Sequence, residues 1–229
     1  MPFSPFTTLV ATLAFCGLTG LAAAQSAVPD TSFRSTYYEQ KRTLYESLPV
    51  ERNSILFIGD SITDTAEWAE LLGNSRIKNR GISGDLSFGV LARLDALIAA
   101  KPEKVFLMIG VNDLARGVAD SVIIRNYRQM AERFRRQSPQ TRIYWQSVLS
   151  TNDSFPQFKR HQGKMQNIRA LNDALRTLAS QTGQTFVDLH PYLSDSDGKL
   201  DARYTNDGLH LNGTGYSRWV EALRKNKYL

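Results

Sequence analysis

A serine in the first third of the chain and an Asp–His pair near its end have the side chains that nucleophilic catalysis uses. Ser61 lies in the segment Gly-Asp-Ser-Ile-Thr at 59–63, and Asp207 precedes His210 by three residues. At that spacing the carboxylate can accept a hydrogen bond from one imidazole nitrogen, while the other nitrogen takes a proton from a serine. Taken singly, Ser61 could instead cap a helix, and Asp207 could cap a surface turn.

Two segments between these residues hold groups that can stabilise a developing negative charge. Residues 79–85 read Asn-Arg-Gly-Ile-Ser-Gly-Asp, and glycines let a backbone N–H turn toward a ligand. Residues 110–113 read Gly-Val-Asn-Asp, and the side-chain amide of Asn112 could donate to an oxyanion. The plainer alternatives are a tight turn with an Asp cap on the next helix, and an Asx-turn.

Of the three histidines in the chain, only His210 has a carboxylate at this spacing. His161 lies in a polar segment, and we expect it to be exposed. His190 follows the last predicted strand, and we expect a structural role for it. Arg116 could bind a carboxylate, but we expect it to pair with a neighbouring residue.

The elements that must position these residues alternate along the chain as strand and helix. The predicted strands are short apolar runs at 55–58, 76–79, 105–109, 143–148 and 185–188. The predicted helices cover 32–48, 67–72, 86–98, 122–136, 168–179 and 213–225, the first with Phe33, Tyr37, Leu44 and Leu48 on its apolar face. This order predicts an α/β sandwich with a parallel sheet. The ligand site of such a sheet lies beyond the carboxyl ends of its strands, where most of these motifs fall.

The four motifs together resemble the motif blocks of the SGNH (GDSL) hydrolases, over residues 55–220. The resemblance implies that Ser61 is the nucleophile, that His210 is the general base and then the general acid, and that Asp207 orients His210. It implies an oxyanion hole made of the backbone N–H groups of Ser61 and Gly84 and the amide of Asn112. It also implies a flavodoxin-like, three-layer sandwich whose five-stranded parallel sheet has the order 2-1-3-4-5, and no metal or organic cofactor.

The sequence defines the substrate less narrowly than it defines the catalytic residues. Residues 81–117 are similar to the acetylhydrolase branch of the family, which implies a serine esterase acting on small acyl groups, with a small ester such as an acetylated sugar as partner. The polar segment 147–153 could contact a hydroxylated alcohol or be an ordinary solvated loop. The absence of a long apolar insertion disfavours long acyl chains, although a lysophospholipase or thioesterase remains an alternative.

Other classes of protein remain open at this point. One is a non-catalytic, flavodoxin-like binding module. Another is a metal-dependent hydrolase that uses Asp60, Asp113, Asp207 and His210. The α/β-hydrolase fold is disfavoured because its Gly-x-Ser-x-Gly pentapeptide does not occur in this sequence.

Composition limits the remaining classes. The chain has 229 residues and a net charge of +6, but its 28 basic residues are scattered among 22 acidic ones, which does not favour a nucleic-acid partner. Its one cysteine, Cys16, permits no intramolecular disulfide.

Residues 1–24 contain no charged side chain and end in Ala-Ala-Ala, which predicts a signal peptide cleaved after Ala24. An uncleaved anchor or a lipidated Cys16 are the alternatives. We therefore expect residues 25–229 to be a single domain, secreted or periplasmic, without integral membrane association; the sequence does not indicate its oligomeric state.

Overall fold

The central sheet consists, in the described part of the chain, of five parallel strands in the order β2-β1-β3-β4-β5. This confirms the α/β class and the strand order that the resemblance implied. The structure is a computed structural model, and it describes Met1 and residues 29–49 and 51–229. The strands are β1 Ile55–Gly59, β2 Ile77–Gly81, β3 Lys104–Met108, β4 Arg142–Gln146 and β5 Thr185–Val187.

Helices connect these strands and precede and follow them. They are α1 Thr36–Ser47, α2 Ser61–Asp64, α3 Trp68–Leu72, α4 Ser87–Ala99, α5 Val111–Ala115, α6 Asp120–Gln137, α7 Met165–Thr182, α8 His190–Leu193 and α9 Gly213–Lys225. None of the described helices is long and apolar enough to span a membrane. The predicted signal peptide and Cys16 lie, apart from Met1, outside the described residues.

On one face of the sheet, the helices α3 and α9 pack against a row of stacked aromatic rings. Phe57 of β1, Phe106 of β3 and Tyr144 of β4 are direct neighbours in the parallel register. Their ring centroids lie 4.8 Å and 4.5 Å apart. Trp68 of α3 stacks on Phe57 at 4.2 Å, and Trp219 of α9 packs edge-on against Trp68 at 4.8 Å. The row therefore fixes α3 and α9 against this face.

The opposite face is covered by a second set of helices. Successive side chains of a strand point to opposite faces, so Trp145 of β4 points away from the aromatic row. Its ring meets Tyr127 of α6 edge-on at 5.1 Å. α6 in turn contacts both α4 and α7. Because helices cover both faces, strands such as β1 and β3 are buried at every residue, which explains the continuous apolar runs 55–58 and 105–108 within them.

The predicted elements are present with small shifts in their bounds. The first helix begins at Thr36 rather than at 32 because Ser35 is its N-cap, with its side chain accepting a hydrogen bond from the Tyr38 N–H. Its apolar face was predicted wrongly: Tyr38 and Tyr45 are buried, whereas Tyr37, Leu44 and Leu48 are exposed. The helices α2, α5 and α8, of four or five residues each, were not predicted.

Candidate active site

Ser61 follows β1 as the first residue of α2. Gly59 makes this turn possible, because a Cβ atom at that position would lie only 2.4 Å from the Met108 carbonyl oxygen and 2.2 Å from the Thr63 hydroxyl. The residue that caps α2 is Asp60, whose Oδ1 accepts a hydrogen bond from the Ile62 N–H at 3.1 Å. The alternative in which Ser61 caps the helix is therefore wrong. Its hydroxyl is left to interact elsewhere.

The structure brings Ser61, His210 and Asp207 into one line of contacts. Ser61 Oγ lies 2.9 Å from His210 Nε2, across 149 positions of sequence. His210 Nδ1 lies 2.8 Å from Asp207 Oδ2. All three residues are half-buried. The arrangement can draw a proton from the serine hydroxyl onto the imidazole.

The carboxylate of Asp207 is held in its charged form. Its Oδ1 accepts hydrogen bonds from the backbone N–H groups of Leu209 at 2.9 Å and His210 at 2.8 Å. Burial alone would raise the pKa of Asp207, but the hydrogen bonds from the His210 side chain and from these two N–H groups hold it below its ordinary value. An ionised Asp207 can only accept, so His210 Nδ1 carries the proton and Nε2 is free to accept one from Ser61.

Three hydrogen-bond donors lie at this edge of the sheet. Among the described residues, no backbone or side-chain acceptor bonds the N–H of Ser61 or of Gly84. Gly84 has a φ of +78°, in the region that favours glycine. Asn112 of α5 is buried, and its Nδ2 donates to the Asp85 carbonyl at 3.1 Å, which leaves its second N–H unused. The Asx-turn alternative for Asn112 is wrong, since its side chain makes tertiary contacts.

The loop that contains Gly84 is fastened by residues that the sequence analysis missed. Tyr45 and Tyr38 of α1 donate hydrogen bonds to the carbonyls of Gly81, at 2.8 Å, and Gly89, at 2.9 Å. Asp64 accepts from the Ser83 N–H at 3.1 Å and the Ser83 hydroxyl at 2.8 Å. The N-terminal helix therefore supports this loop. The seven-residue spacing of the two tyrosines was the only sequence signal.

A second loop fastens the segment that contains Asp207 and His210. Residues 147–153 were predicted to contact an alcohol or to be solvated. Most of the segment is buried, so the solvated alternative is wrong for it, and contact with an alcohol stays a prediction. Ser147, Ser150, Thr151 and Asn152 are buried. Asn152 donates through its backbone N–H to the Gly208 carbonyl and through its side chain to the Leu200 carbonyl, both at 2.8 Å. The polar groups of Asn152 therefore bind the protein's own backbone.

Of the predictions for the other two histidines, the structure agrees with that for His190 and not with that for His161. His190 Nε2 lies 3.1 Å from the Val148 carbonyl oxygen, and Nδ1 lies 3.1 Å from the Ser194 hydroxyl, contacts that suit a structural residue. His161, in contrast, was predicted wrongly to be exposed. It is half-buried at the end of a 3₁₀ turn, with Nε2 only 2.9 Å from Oδ1 of Asn112.

Arg116 makes the contacts with neighbouring residues that were expected of it. Its guanidinium lies 3.4 Å from the Asp30 carboxylate and donates to the Ser32 carbonyl. The chain that precedes α1 is thereby tied to α5, the helix that contains Asn112. In this arrangement the guanidinium is engaged by the protein itself.

Three buried acidic side chains lie beneath the edge of the sheet. Burial raises the pKa of Asp60 to about 7, and the nearby charges of Asp85 and Asp113 act in the same direction. Burial also raises the pKa of Asp85 to about 6, although its ion pair with Arg93, at 3.0 Å, opposes the shift. Asp113 accepts hydrogen bonds from the N–H and hydroxyl of Ser87 at the start of α4.

The side chains named in the metal-dependent alternative do not form one cluster. Asp60 binds the Ile62 N–H, Asp113 binds Ser87, and Asp207 binds His210. In the part of the chain that the structure describes, no group of three His, Cys, Asp or Glu residues is arranged to hold a metal ion. The geometry therefore offers no set of ligands for that alternative.

Comparison with known proteins agrees with this geometry. The GDSL-like lipase/acylhydrolase family matches residues 57–218. The chain is 38% identical to Esterase TesA of Pseudomonas aeruginosa over 69% of this chain and 79% of the relative. It is 27% identical to platelet-activating factor acetylhydrolase IB subunit alpha1 of Homo sapiens, over 74% and 73% of the two chains.

A solved structure from Streptococcus pneumonia, described as a candidate platelet activating factor, superimposes with a TM-score of 0.77. It shares 34% sequence identity and covers 83% of this chain and 92% of its own. The family match spans more than half of the chain and includes Ser61, Gly84, Asn112, Asp207 and His210. The chain therefore belongs to the GDSL-like lipase/acylhydrolase family and is a carboxylic ester hydrolase.

Proposed function

We propose that the protein is a serine esterase that removes short acyl groups, chiefly O-acetyl groups, from a sugar or a similar polar alcohol. The observation that carries the proposal is the line of contacts from Asp207 through His210 to Ser61, at 2.8 Å and 2.9 Å. It ends beside three hydrogen-bond donors with unused capacity. This combination is what acyl transfer requires of a protein.

In the first half of the reaction, Ser61 Oγ attacks the ester carbonyl carbon as His210 Nε2 takes the hydroxyl proton. The oxyanion that forms accepts hydrogen bonds from the N–H groups of Ser61 and Gly84 and from Asn112 Nδ2. His210 then gives its proton to the departing alcohol oxygen, which leaves an acyl ester on Ser61. In the second half, His210 activates water, the acid is released and the serine is restored.

Two observations support the substrate class. The human relative with 27% identity is an acetylhydrolase by name. The ring of Phe158 is 43% exposed and lies edge-on to His210, with centroids 4.9 Å apart. Because His210 protonates the leaving alcohol, this ring borders the place where the alcohol must lie. An exposed aromatic ring there suits an alcohol with a flat apolar face, such as a sugar ring.

The first test is hydrolysis of p-nitrophenyl acetate by the purified protein and by its Ser61→Ala variant. We expect turnover in the wild type and a loss of at least about a thousandfold in kcat in the variant, because removal of the nucleophile leaves only binding and the oxyanion donors. Ser217→Ala, an exposed serine on α9, is the matched control and should leave kcat unchanged. An inert wild type would favour the binding-module alternative, and an equally active Ser61→Ala would exclude this serine as nucleophile.

Substrate series then separate the remaining alternatives. We expect kcat/KM to fall from acetyl to octanoyl esters and acetylated sugars to be hydrolysed, whereas a lysophospholipase or thioesterase would show the opposite dependence on chain length. Activity should survive EDTA. Loss of activity that is restored by a divalent ion would support the metal-dependent alternative instead.

We also propose that residues 1–24 direct export of the protein, on the basis of their composition alone. N-terminal sequencing of protein recovered outside the cytoplasm should begin at Gln25. Recovery of a chain that still begins at Met1 and stays in the cytoplasm would contradict the proposal.

A further inference from the structure

One contact near Ser61 plays no part in the mechanism described above. His161 Nε2 lies 2.9 Å from Asn112 Oδ1, across 49 positions of sequence. His161 ends a 3₁₀ turn between β4 and α7, whereas Asn112 lies in α5. The side chain of an oxyanion-hole asparagine is therefore in contact with a histidine from a different loop.

The surroundings of Asn112 determine which way its amide points. The Asp85 carbonyl oxygen can only accept, so the atom of Asn112 that faces it at 3.1 Å must be the nitrogen. The amide oxygen must then face His161, and His161 Nε2 must be the donor. In this orientation one amide N–H binds Asp85 and the second is free for an oxyanion. A flipped amide would place two carbonyl oxygens against each other.

His161 is well suited to be a neutral donor. Burial lowers its pKa, and the positive charge of a protonated His210 and the cations Arg160 and Arg116 act in the same direction, whereas the backbone of Phe158 acts against the shift. Its Nδ1 is buried and has no hydrogen-bond partner among the described residues. The ring therefore carries its one proton on Nε2. A neutral ring here also avoids repelling the positive charge that His210 acquires when it takes the serine proton.

The backbone around His161 holds the ring in place. Its N–H donates to the Phe158 carbonyl at 2.8 Å, and its carbonyl accepts from the Thr151 hydroxyl at 3.3 Å. The Phe158 ring also packs edge-on against the imidazole, with centroids 5.9 Å apart. The His161 donor therefore lies on a turn that is itself held in place, as a side chain must be if it is to orient the amide of Asn112.

We propose that His161 is a positioning residue that holds the Asn112 amide with its free N–H turned toward the oxyanion. The proposal rests on the proposed serine-esterase function. Without the histidine, the amide oxygen would lose its donor in a buried position, and the amide could rotate away from the orientation that the transition state needs. His161 acts through Asn112 and does not touch the reacting atoms.

The test is a mutant cycle measured with p-nitrophenyl acetate. We expect His161→Ala to lower kcat by about tenfold to a hundredfold with KM changed less than threefold, since loss of a whole oxyanion donor costs 10²–10³. His161→Gln, whose amide can still donate, should recover most of kcat. In the background of Asn112→Ala, the further change His161→Ala should have no additional effect, because both act through the same hydrogen bond.

A matched control and an independent readout complete the test. His190→Gln replaces a histidine of similar burial away from Ser61 and should leave kcat unchanged. NMR of the ¹⁵N-labelled wild type should show His161 protonated at Nε2 and not at Nδ1. A proton on Nδ1, an effect of His161→Ala that multiplies with that of Asn112→Ala, or unchanged kcat in His161→Ala would overturn the proposal.

The outcomes for the two proposals are distinct. A wild type without esterase activity, or with activity that survives Ser61→Ala, removes the serine-esterase function and this inference together. A wild type that depends on Ser61 but tolerates His161→Ala removes this inference alone. Thermal unfolding of each variant separates loss of kcat from loss of folded protein.

Discussion

Asp60, the residue before the proposed nucleophile, combines a helix-capping role with a fully buried carboxyl group. The unfolded chain ionises this group near its ordinary value of 3.8, whereas burial moves the pKa in the folded chain to about 7. Between these values the folded state binds more protons, so the free energy of unfolding falls as pH rises. The carboxyl is thus a source of instability at neutral pH.

We therefore expect Asp60→Asn, which can still accept from the Ile62 N–H, to gain stability relative to the wild type as pH rises from about 4 to about 8. The full shift corresponds to a gain on the order of 4 kcal/mol, at about 1.4 kcal/mol for each unit of pKa. Urea unfolding at both pH values measures the gain. Asp95→Asn, an exposed acid, is the control. A difference between variant and wild type that does not change with pH would contradict the prediction.

Single residues also show where sequence reasoning reached its limit. Ser61, Asp207, His210 and Asn112 were identified because each lies in a short motif that follows a strand or precedes a helix. His161 was missed because its partner is 49 positions upstream, and the segment around it reads like any solvated loop. Contacts of that kind depend on the path of a loop in space, which local patterns do not encode.

At the scale of elements, α1 has a clear consequence for the loop that contains Gly84. This helix precedes residues 57–218, the part of the chain that matches the family. Nevertheless, Tyr45 and Tyr38 bond the carbonyls at the two sides of that loop. The presence of α1 was predictable from helical spacing. Its buried face was not, because tyrosines can pack and donate a hydrogen bond at the same time.

We expect Tyr45→Phe to lower the free energy of unfolding by about 1–2 kcal/mol, since the Gly81 carbonyl loses its donor in a buried place. We also expect kcat to fall more than KM rises, because the loop that supplies the Gly84 N–H is loosened. Leu44→Ala, on the exposed side of the same helix, should change neither quantity. Unfolding and kinetics measured on the same preparations decide the point, and an unchanged kcat in a destabilised Tyr45→Phe would refute the link to the loop.

At the scale of the whole molecule, we expect stability and activity to depend on different aromatic residues. Phe106 lies fully buried in the middle of the aromatic row, between Phe57 and Tyr144. Phe158 is exposed beside His210. The fold class followed from alternating apolar runs, and the strand order from the resemblance to the family. The different surroundings of Phe106 and Phe158 did not follow from either, since both residues are phenylalanines in sequence.

We expect Phe106→Ala to lower the free energy of unfolding by about 3–5 kcal/mol, through lost burial and the cavity left behind. Its kcat, measured per folded molecule, should stay close to that of the wild type. Phe158→Ala should show the reverse, with stability changed by less than about 1 kcal/mol and a raised KM for acetylated sugars. Denaturant unfolding and steady-state kinetics on both variants test the contrast; equal effects of the two substitutions on KM would count against it.

The distance in sequence between Ser61 and His210 has a further consequence for how the protein is made. The two residues are 149 positions apart, and Tyr216, just beyond His210, donates to the Ile62 carbonyl beside the serine. At synthesis rates of roughly 5–20 residues per second, His210 is added between about 7 and 30 seconds after Ser61. Under the proposed mechanism, a growing chain on the ribosome therefore has no working nucleophile until His210 has emerged and α9 has docked.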